Sequence, residues 1–299
     1  MNRLKITIPD LTPNLNVFQE MSEVYDWGLL DLNIPNVHKI TLGENVKVAI
    51  VDSGKSEHFE VKNNTIASKN FSSSNTVNDT RGHNTFVSGI IAAEKNDEGI
   101  IGVAPKTQLY FAKAVDDSGS GNPSAMVKSI YWAVEQKVDI ISISAGMFID
   151  FKPLREAVQF AYNKNIVLVA ATGNTGTKNF DVAFPARYPE VIGVAAYDKN
   201  HKAAPFSSRG VNVFCAMPGV DIYSTWLNNQ YCKLNGTSFS CPIMTGICAL
   251  IISKFKKENK TYTPQTIKDQ LKKFSKKLND DPKAVGFGTV DLNELISKG

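Results

Sequence analysis

Short, nearly continuous apolar runs alternate along this chain with segments whose apolar residues recur at helical spacing. Residues 46–51 (VKVAIV), 108–115, 138–144 (VDIISIS), 166–171 and 191–196 have the length and β-branched content of strands buried on both faces. Between them, residues 85–94 form a small, apolar helical segment opened by His83. Asn122-Pro123 then supplies an N-cap and a first-position proline, ahead of Met126, Ile130 and Val134 at helical spacing. Residues 153–163 repeat the proline-first start and put Leu154, Ala157, Val158 and Ala161 on one face. An apolar segment at 243–252, a helix start at Thr263-Pro264 and a closing segment at 286–296 complete the pattern, while the Asn/Ser/Thr-rich stretch 61–80 reads as loop. Strands alternating with helices, without a long linker, predict an α/β fold: a doubly wound, mostly parallel sheet flanked by helices. Residues 25–299 form that single domain and residues 1–24 an extension ahead of it. Ligands in such folds gather at the carboxyl ends of the strands.

Composition changes this picture little. Of 299 residues, 42% are hydrophobic and 21% charged, the balance of a globular protein, and no run reaches the ~18 consecutive apolar residues of a membrane span. The net charge of +4 is uneven, because residues 254–283 carry ten lysines and four acids and the rest of the chain sums to −2. Those lysines decorate the polar faces of two predicted helices without arginine, which predicts solvated surface and no nucleic-acid partner. The start of the chain has no apolar core of signal-peptide length, so a cytoplasmic location is expected. Cys215, Cys232, Cys241 and Cys248 show no metal-ligand spacing. Free thiols are the simplest account, with a Cys215–Cys232 bridge left open.

The candidate chemistry centres on Asn235-Gly236-Thr237-Ser238-Phe239-Ser240-Cys241-Pro242, which runs into the apolar segment at 243. The proline belongs in the first turn of a helix, which sets Ser238 at a helix mouth among free backbone N–H groups. Either the serine merely caps that helix or it is a nucleophile whose oxyanion those donors receive. A serine hydroxyl needs a base, and His83 can take and return a proton. Asp52, just after a predicted strand, can hold the other ring N–H, and Asn174, after another, can donate its amide to an oxyanion.

Taken together, these residues resemble the subtilisin family of serine peptidases, with its Asp…His…Ser order. Val48-Ala49-Ile50-Val51-Asp52-Ser53-Gly54 is similar to the family's aspartate strand. Arg81-Gly82-His83-Asn84-Thr85-Phe86-Val87-Ser88-Gly89 resembles its histidine motif, Ala170-Ala171-Thr172-Gly173-Asn174 its oxyanion segment, and residues 235–242 its serine motif. The resemblance implies a serine endopeptidase with Ser238, His83, Asp52 and Asn174 as its catalytic set and no cofactor for the chemistry. It also implies two edge strands, Ser118-Gly119-Ser120-Gly121 and Ser144-Ala145-Gly146, which sandwich an extended peptide or protein substrate. A cis bond is implied at Phe184-Pro185. A structural calcium is implied near residues 93–100, with Glu60 and Asn96 among its ligands, the alternative being a solvated acidic turn.

Departures from the family pattern point to a specialised branch. Asn84 and Phe86 stand where the family commonly has Gly and His, and Phe239, Ser240 and Ile243 where it commonly has Met, Ala and His. Ile143-Ser144-Ala145-Gly146 resembles peptidases that remove leader peptides from lantibiotic precursors, so dedicated processing is expected ahead of general intracellular degradation. Two rivals are a silent peptide-binding pseudoprotease and a hydrolase using Cys241. The Pro-interrupted, partly apolar residues 1–24 are expected across the groove as a short inhibitory segment. Asp181 is expected near the floor of the specificity pocket, where it favours basic residues.

Overall fold

The computed structural model describes residues 5–9, 11, 22–177 and 181–298. Seven strands form one parallel sheet in the order Thr65–Asn70, Gln108–Lys113, Lys47–Asp52, Ile140–Ile143, Val167–Ala171, Ile192–Tyr197, Cys215–Pro218. The five strands expected from apolar runs are all present and, apart from Lys47, Gln108 and Asp139, buried as a two-sided parallel sheet requires. Thr65–Asn70 was expected as loop. It is an edge strand whose alternate residues face solvent, so its TIASKN sequence never forms an apolar run.

Lys47–Asp52 lies in the interior of the sheet, paired on one side with Gln108–Lys113 and on the other with Ile140–Ile143. The chain thus leaves this strand's neighbourhood in opposite directions, and the crevice that such a reversal opens lies at the carboxyl end, where Asp52 sits. Two helices on one face serve that crevice. His83–Ala92 is buried along its whole length, and Thr237–Lys257 packs against it and across four sheet strands. The latter is the one helix among the described residues long and apolar enough to cross a membrane, and its apolar window is wholly buried in the core. Its apolar content is read as core for that reason.

Pro242 falls inside this helix rather than in its first turn, because the helix begins at Thr237. A proline there supplies no N–H to the carbonyl four residues back, that of Ser238. Ser144 Oγ donates to that carbonyl instead, at 2.8 Å. The lost helical bond is thereby replaced by one that ties the serine turn to the Ser144 segment. Phe184–Pro185 is cis. All four cysteines are free and buried, so no Cys215–Cys232 bridge forms.

Candidate active site

Asp52 ends its strand fully buried, and His83 opens its helix fully buried. The ring Nδ1 and Asp52 Oδ1 are 2.7 Å apart. Gly82 precedes the histidine with φ +80°, and a Cβ there would lie 2.6 Å from the Trp226 ring, so only glycine allows the turn that aims the imidazole. Aromatic packing backs the ring: Phe239 lies 5.8 Å from it and Phe86 lies 4.5 Å from Phe239. Two of the departures from the family pattern are therefore one packed unit. A third, Asn84, donates its amide to Gly54 O.

Ser238 stands in the first turn of its helix, 3% exposed. Its hydroxyl donates to Ser144 O at 3.1 Å, and among the described residues no hydrogen bond joins it to His83. His83 Nε2 is buried without a hydrogen-bond partner. The imidazole thus has one nitrogen held by a carboxylate and the other uncommitted. Asn174 accepts from Thr237 N–H at 3.0 Å and Thr237 Oγ1 at 2.9 Å through Oδ1. Both partners donate, which fixes the oxygen end of the amide and leaves the Nδ2 end for a ligand. Ser238, Asn174, Ser144, Gly146 and Phe148 line one cavity of about 270 Å³. In chemical terms this is a hydroxyl, a base with an oriented tautomer, and N–H donors beside a cleft: the parts for acyl transfer.

The groove already holds a peptide, and it belongs to the same chain. Ile6–Thr7 pairs antiparallel with Ser120–Gly121, and Thr7 bridges antiparallel to Gly146 on the other side. Thr7 N–H donates to Gly146 O at 3.2 Å, Gly146 N–H to Thr7 O at 3.4 Å, and Ile8 N–H to Gly119 O at 3.2 Å. A Cβ on Gly121 would overlap the Ala114 carbonyl oxygen and lie 2.7 Å from the Ile6 side chain, so glycine suits this close approach of backbones. Pro9 lines the cavity that contains Ser238. The two segments expected as edge strands do sandwich an extended strand, and the occupant lies within the 1–24 extension, most of whose remaining residues fall outside the described ones.

Two sequence expectations are corrected here. Asp181 pairs with Arg187 at 2.8 Å and lines a separate cavity with Val211 and Lys283, so it is not on the floor of the specificity pocket. Glu60 and Asn96 do meet, but not as ligands. Glu60 Oε1 accepts from Tyr231 Oη at 2.6 Å and Ile100 N–H at 3.0 Å, and Oε2 accepts from the Asn96 amide at 3.3 Å. Asn96 Oδ1 accepts from Glu98 N–H at 3.0 Å. A cation needs converging oxygens with free lone pairs. The carboxylate instead faces hydrogen-bond donors, and burial pushes its pKa up to about 7. Among the described residues no three His, Cys, Asp or Glu side chains converge. The residues present do not fit calcium at this place. Cys241 is fully buried, with its thiol pushed up to about 11 by burial, which disqualifies it as a nucleophile.

Sequence reasoning missed Asp79 and Ser53, which connect Asp52 to the histidine helix. Their signal was an acid four positions before His83 and a glycine, unable to cap, at Gly82.

The profile of the Subtilase family (Peptidase S8) matches residues 43–288. Subtilisin DY of Bacillus licheniformis is 39% identical over 242 residues, 80% of this chain and 86% of that protein. A thermostable alkaline protease of Halalkalibacterium halodurans is 35% identical over 284 residues, 93% of this chain and 76% of that protein. Subtilisin E of Bacillus subtilis is 36% identical over 260 residues, 86% of this chain and 67% of that protein. With a fold, a buried acid–imidazole pair and relatives that agree, the chain belongs to the subtilase family and is a subtilisin-type serine endopeptidase.

Proposed function

We propose that Ser238 is the nucleophile, His83 the general base and acid, Asp52 the orienting carboxylate, and Asn174 with the Ser238 N–H the oxyanion donors. The supporting observation is a fully buried imidazole with Nδ1 on a carboxylate and Nε2 unengaged. Ser238 Oγ attacks the scissile carbonyl carbon and its proton passes to His83 Nε2. The carbonyl oxygen becomes an oxyanion that accepts from the Asn174 amide and the Ser238 N–H. His83 returns the proton to the leaving amine, and the acyl-enzyme forms. Water then attacks under the same base and releases the carboxylic acid. Asp52 stays ionised throughout and stabilises the imidazolium. A fluorophosphonate probe tests this directly: labelling confined to Ser238 supports it, and no labelling even when residues 6–9 are displaced from the groove points to the silent peptide-binding rival.

The resting protein, on this reading, blocks itself with residues 6–9. Along a strand between two others, successive N–H groups alternate sides: Thr7 reaches Gly146 and Ile8 reaches Gly119. The next turn toward Ser144 falls to Pro9, which has no N–H, and the Ser238 hydroxyl donates to Ser144 O instead. The nucleophile is thus turned from its base while the segment lies in place. Ile6→Asp, which puts a charge at a fully buried position, or Thr7→Pro, which deletes the donor to Gly146, raises kcat/KM on a short peptide. The gain reports the closed population directly, since apparent affinity falls in proportion to the open fraction. Unchanged rates in both variants overturn self-blocking.

The substrate is a peptide bound extended, and we favour one dedicated precursor, such as a lantibiotic leader, cut in the cytoplasm. Four buried free thiols suit a reducing compartment. No acid appears among the described residues lining the pocket beside Ser238, so an uncharged residue before the cut is preferred. A peptide-library profile dominated by Arg or Lys at that position, or one without sequence preference, defeats this part.

A further inference from the structure

The turn before the histidine helix contains an acid that the reaction as written does not use. Asp79 is 8% exposed, and both of its oxygens are engaged. Oδ1 accepts from Ser53 Oγ at 2.9 Å and from the N–H groups of Arg81 and Gly82, each at 3.0 Å. Oδ2 accepts from Thr85 N–H and Thr85 Oγ1, both at 2.8 Å. The need for these bonds is local. A helix leaves its first N–H groups without intrahelical partners, and the N-cap here is Gly82, which has no side chain to supply one. Asp79 takes the Thr85 N–H from outside the helix, and Ser53 Oγ takes that of Asn84 at 3.0 Å. A carboxylate at this end also faces the positive pole of the helix.

The same network reaches the acid that holds the imidazole. Ser53 N–H donates to Asp52 Oδ1 at 2.7 Å, the oxygen that also meets His83 Nδ1 at 2.7 Å. Ser53 therefore touches Asp52 with its backbone and both Asp79 and the helix with its hydroxyl. Backbone bonds lock the two segments together, from Lys55 N–H to Val77 O and from Asp79 N–H to Lys55 O, both 2.8 Å. We infer that Asp79 is a positioning residue. Through Ser53 it fixes the strand end bearing Asp52 against the helical turn bearing His83, and so sets the geometry of their hydrogen bond. A misplacement of ~1 Å in such a constellation lowers rates by about 10²-fold.

Asp79→Asn in the full chain is the test, since it keeps the shape but turns one oxygen into a donor that faces other donors. Labelling of Ser238 by a fluorophosphonate is resolved into a binding constant and a maximal rate, and proton NMR follows the His83 Nδ1–H. The maximal rate is expected to fall on the order of 10–100-fold, with the binding constant within about twofold and the Nδ1–H resonance shifted. Ser53→Ala keeps the backbone bond to Asp52 but removes the hydroxyl that joins that strand end to Asp79 and to Asn84 N–H, while leaving Asp79 on Gly82 and Thr85; it is expected to shift the same resonance and lower the rate less. It decides the matter if Asp79→Asn does not fold. A folded variant with the wild-type maximal rate and an unmoved resonance overturns the inference, even if it melts earlier, because that is the signature of a helix cap alone. The inference rests on the proposed triad: absence of labelling even in the chain opened by Thr7→Pro fells both, whereas normal labelling in the variants fells only this one.

Discussion

His83 and Glu60 are both ionisable and both fully buried, yet their surroundings are opposite. Glu60 has three donors on its two oxygens, so neither oxygen is without a partner. His83 has one partner, and its Nε2 has none. Seven buried side-chain atoms among the described residues lack a partner, and three of them, Asp52 Oδ2, His83 Nε2 and Asn84 Oδ1, crowd into this one corner. Burying an unsatisfied polar atom costs about 1–3 kcal/mol, so structural clusters close themselves as Glu60's does. His83 Nε2 is left short for the proton it takes from Ser238 in the proposed reaction, and that separates the reacting corner from the closed cluster.

The contrast can be broken by experiment. Ser238→Ala and His83→Ala should each remove turnover by on the order of 10⁶, a magnitude measured on subtilisins rather than deduced from these distances. Near-normal peptide hydrolysis by either variant ends the assignment. Asn174→Ala should lower kcat by about 10²–10³ with little change in KM, again a range known from subtilisin, and an effect on KM alone makes Asn174 a binding group only. Tyr231→Phe, at the closed cluster, should leave kcat alone and lower unfolding free energy by ~1–3 kcal/mol in a denaturant titration, because Glu60 loses a donor. Smaller still is the effect of a calcium chelator. The melting temperature should stay within about 1 °C, and a large drop would show a cation stabilising the fold by linkage. Alkylation at pH 8 should leave Cys241 unmodified and activity intact, since its thiol titrates near 11.

Much of this was legible in the residues. Buried parallel strands announce themselves as apolar runs, and Asp52 and Asn174 could be placed at strand ends by position alone. Thr65–Asn70 could not, because this edge strand has only half-buried and exposed residues and so forms no apolar run. The metal expectation failed for a different reason. Residue types near 60 and 96 suit calcium, but orientation decides whether an oxygen is offered or already taken, and Tyr231 arrives from 171 positions away. Asp79 left only the weak signal of an acid before an uncapped helix start, because its role depends on Ser53 and Thr85 across a turn. The exchange of Phe for the usual residues at 86 and 239 reads as two oddities in sequence and as one contact in space.

One consequence follows from where the sheet places Lys47–Asp52. Its second neighbour, Ile140–Ile143, lies far down the chain, and the hydroxyl that completes the trio comes later still, at Ser238. Contacts of such long sequence separation form slowly. On the proposed roles, a ribosome making this protein therefore releases acid and base well before the nucleophile, and every product that stops short of Ser238 is inert. The cutting edge is the last part to be assembled, by which time the segment that sheathes it has long been made.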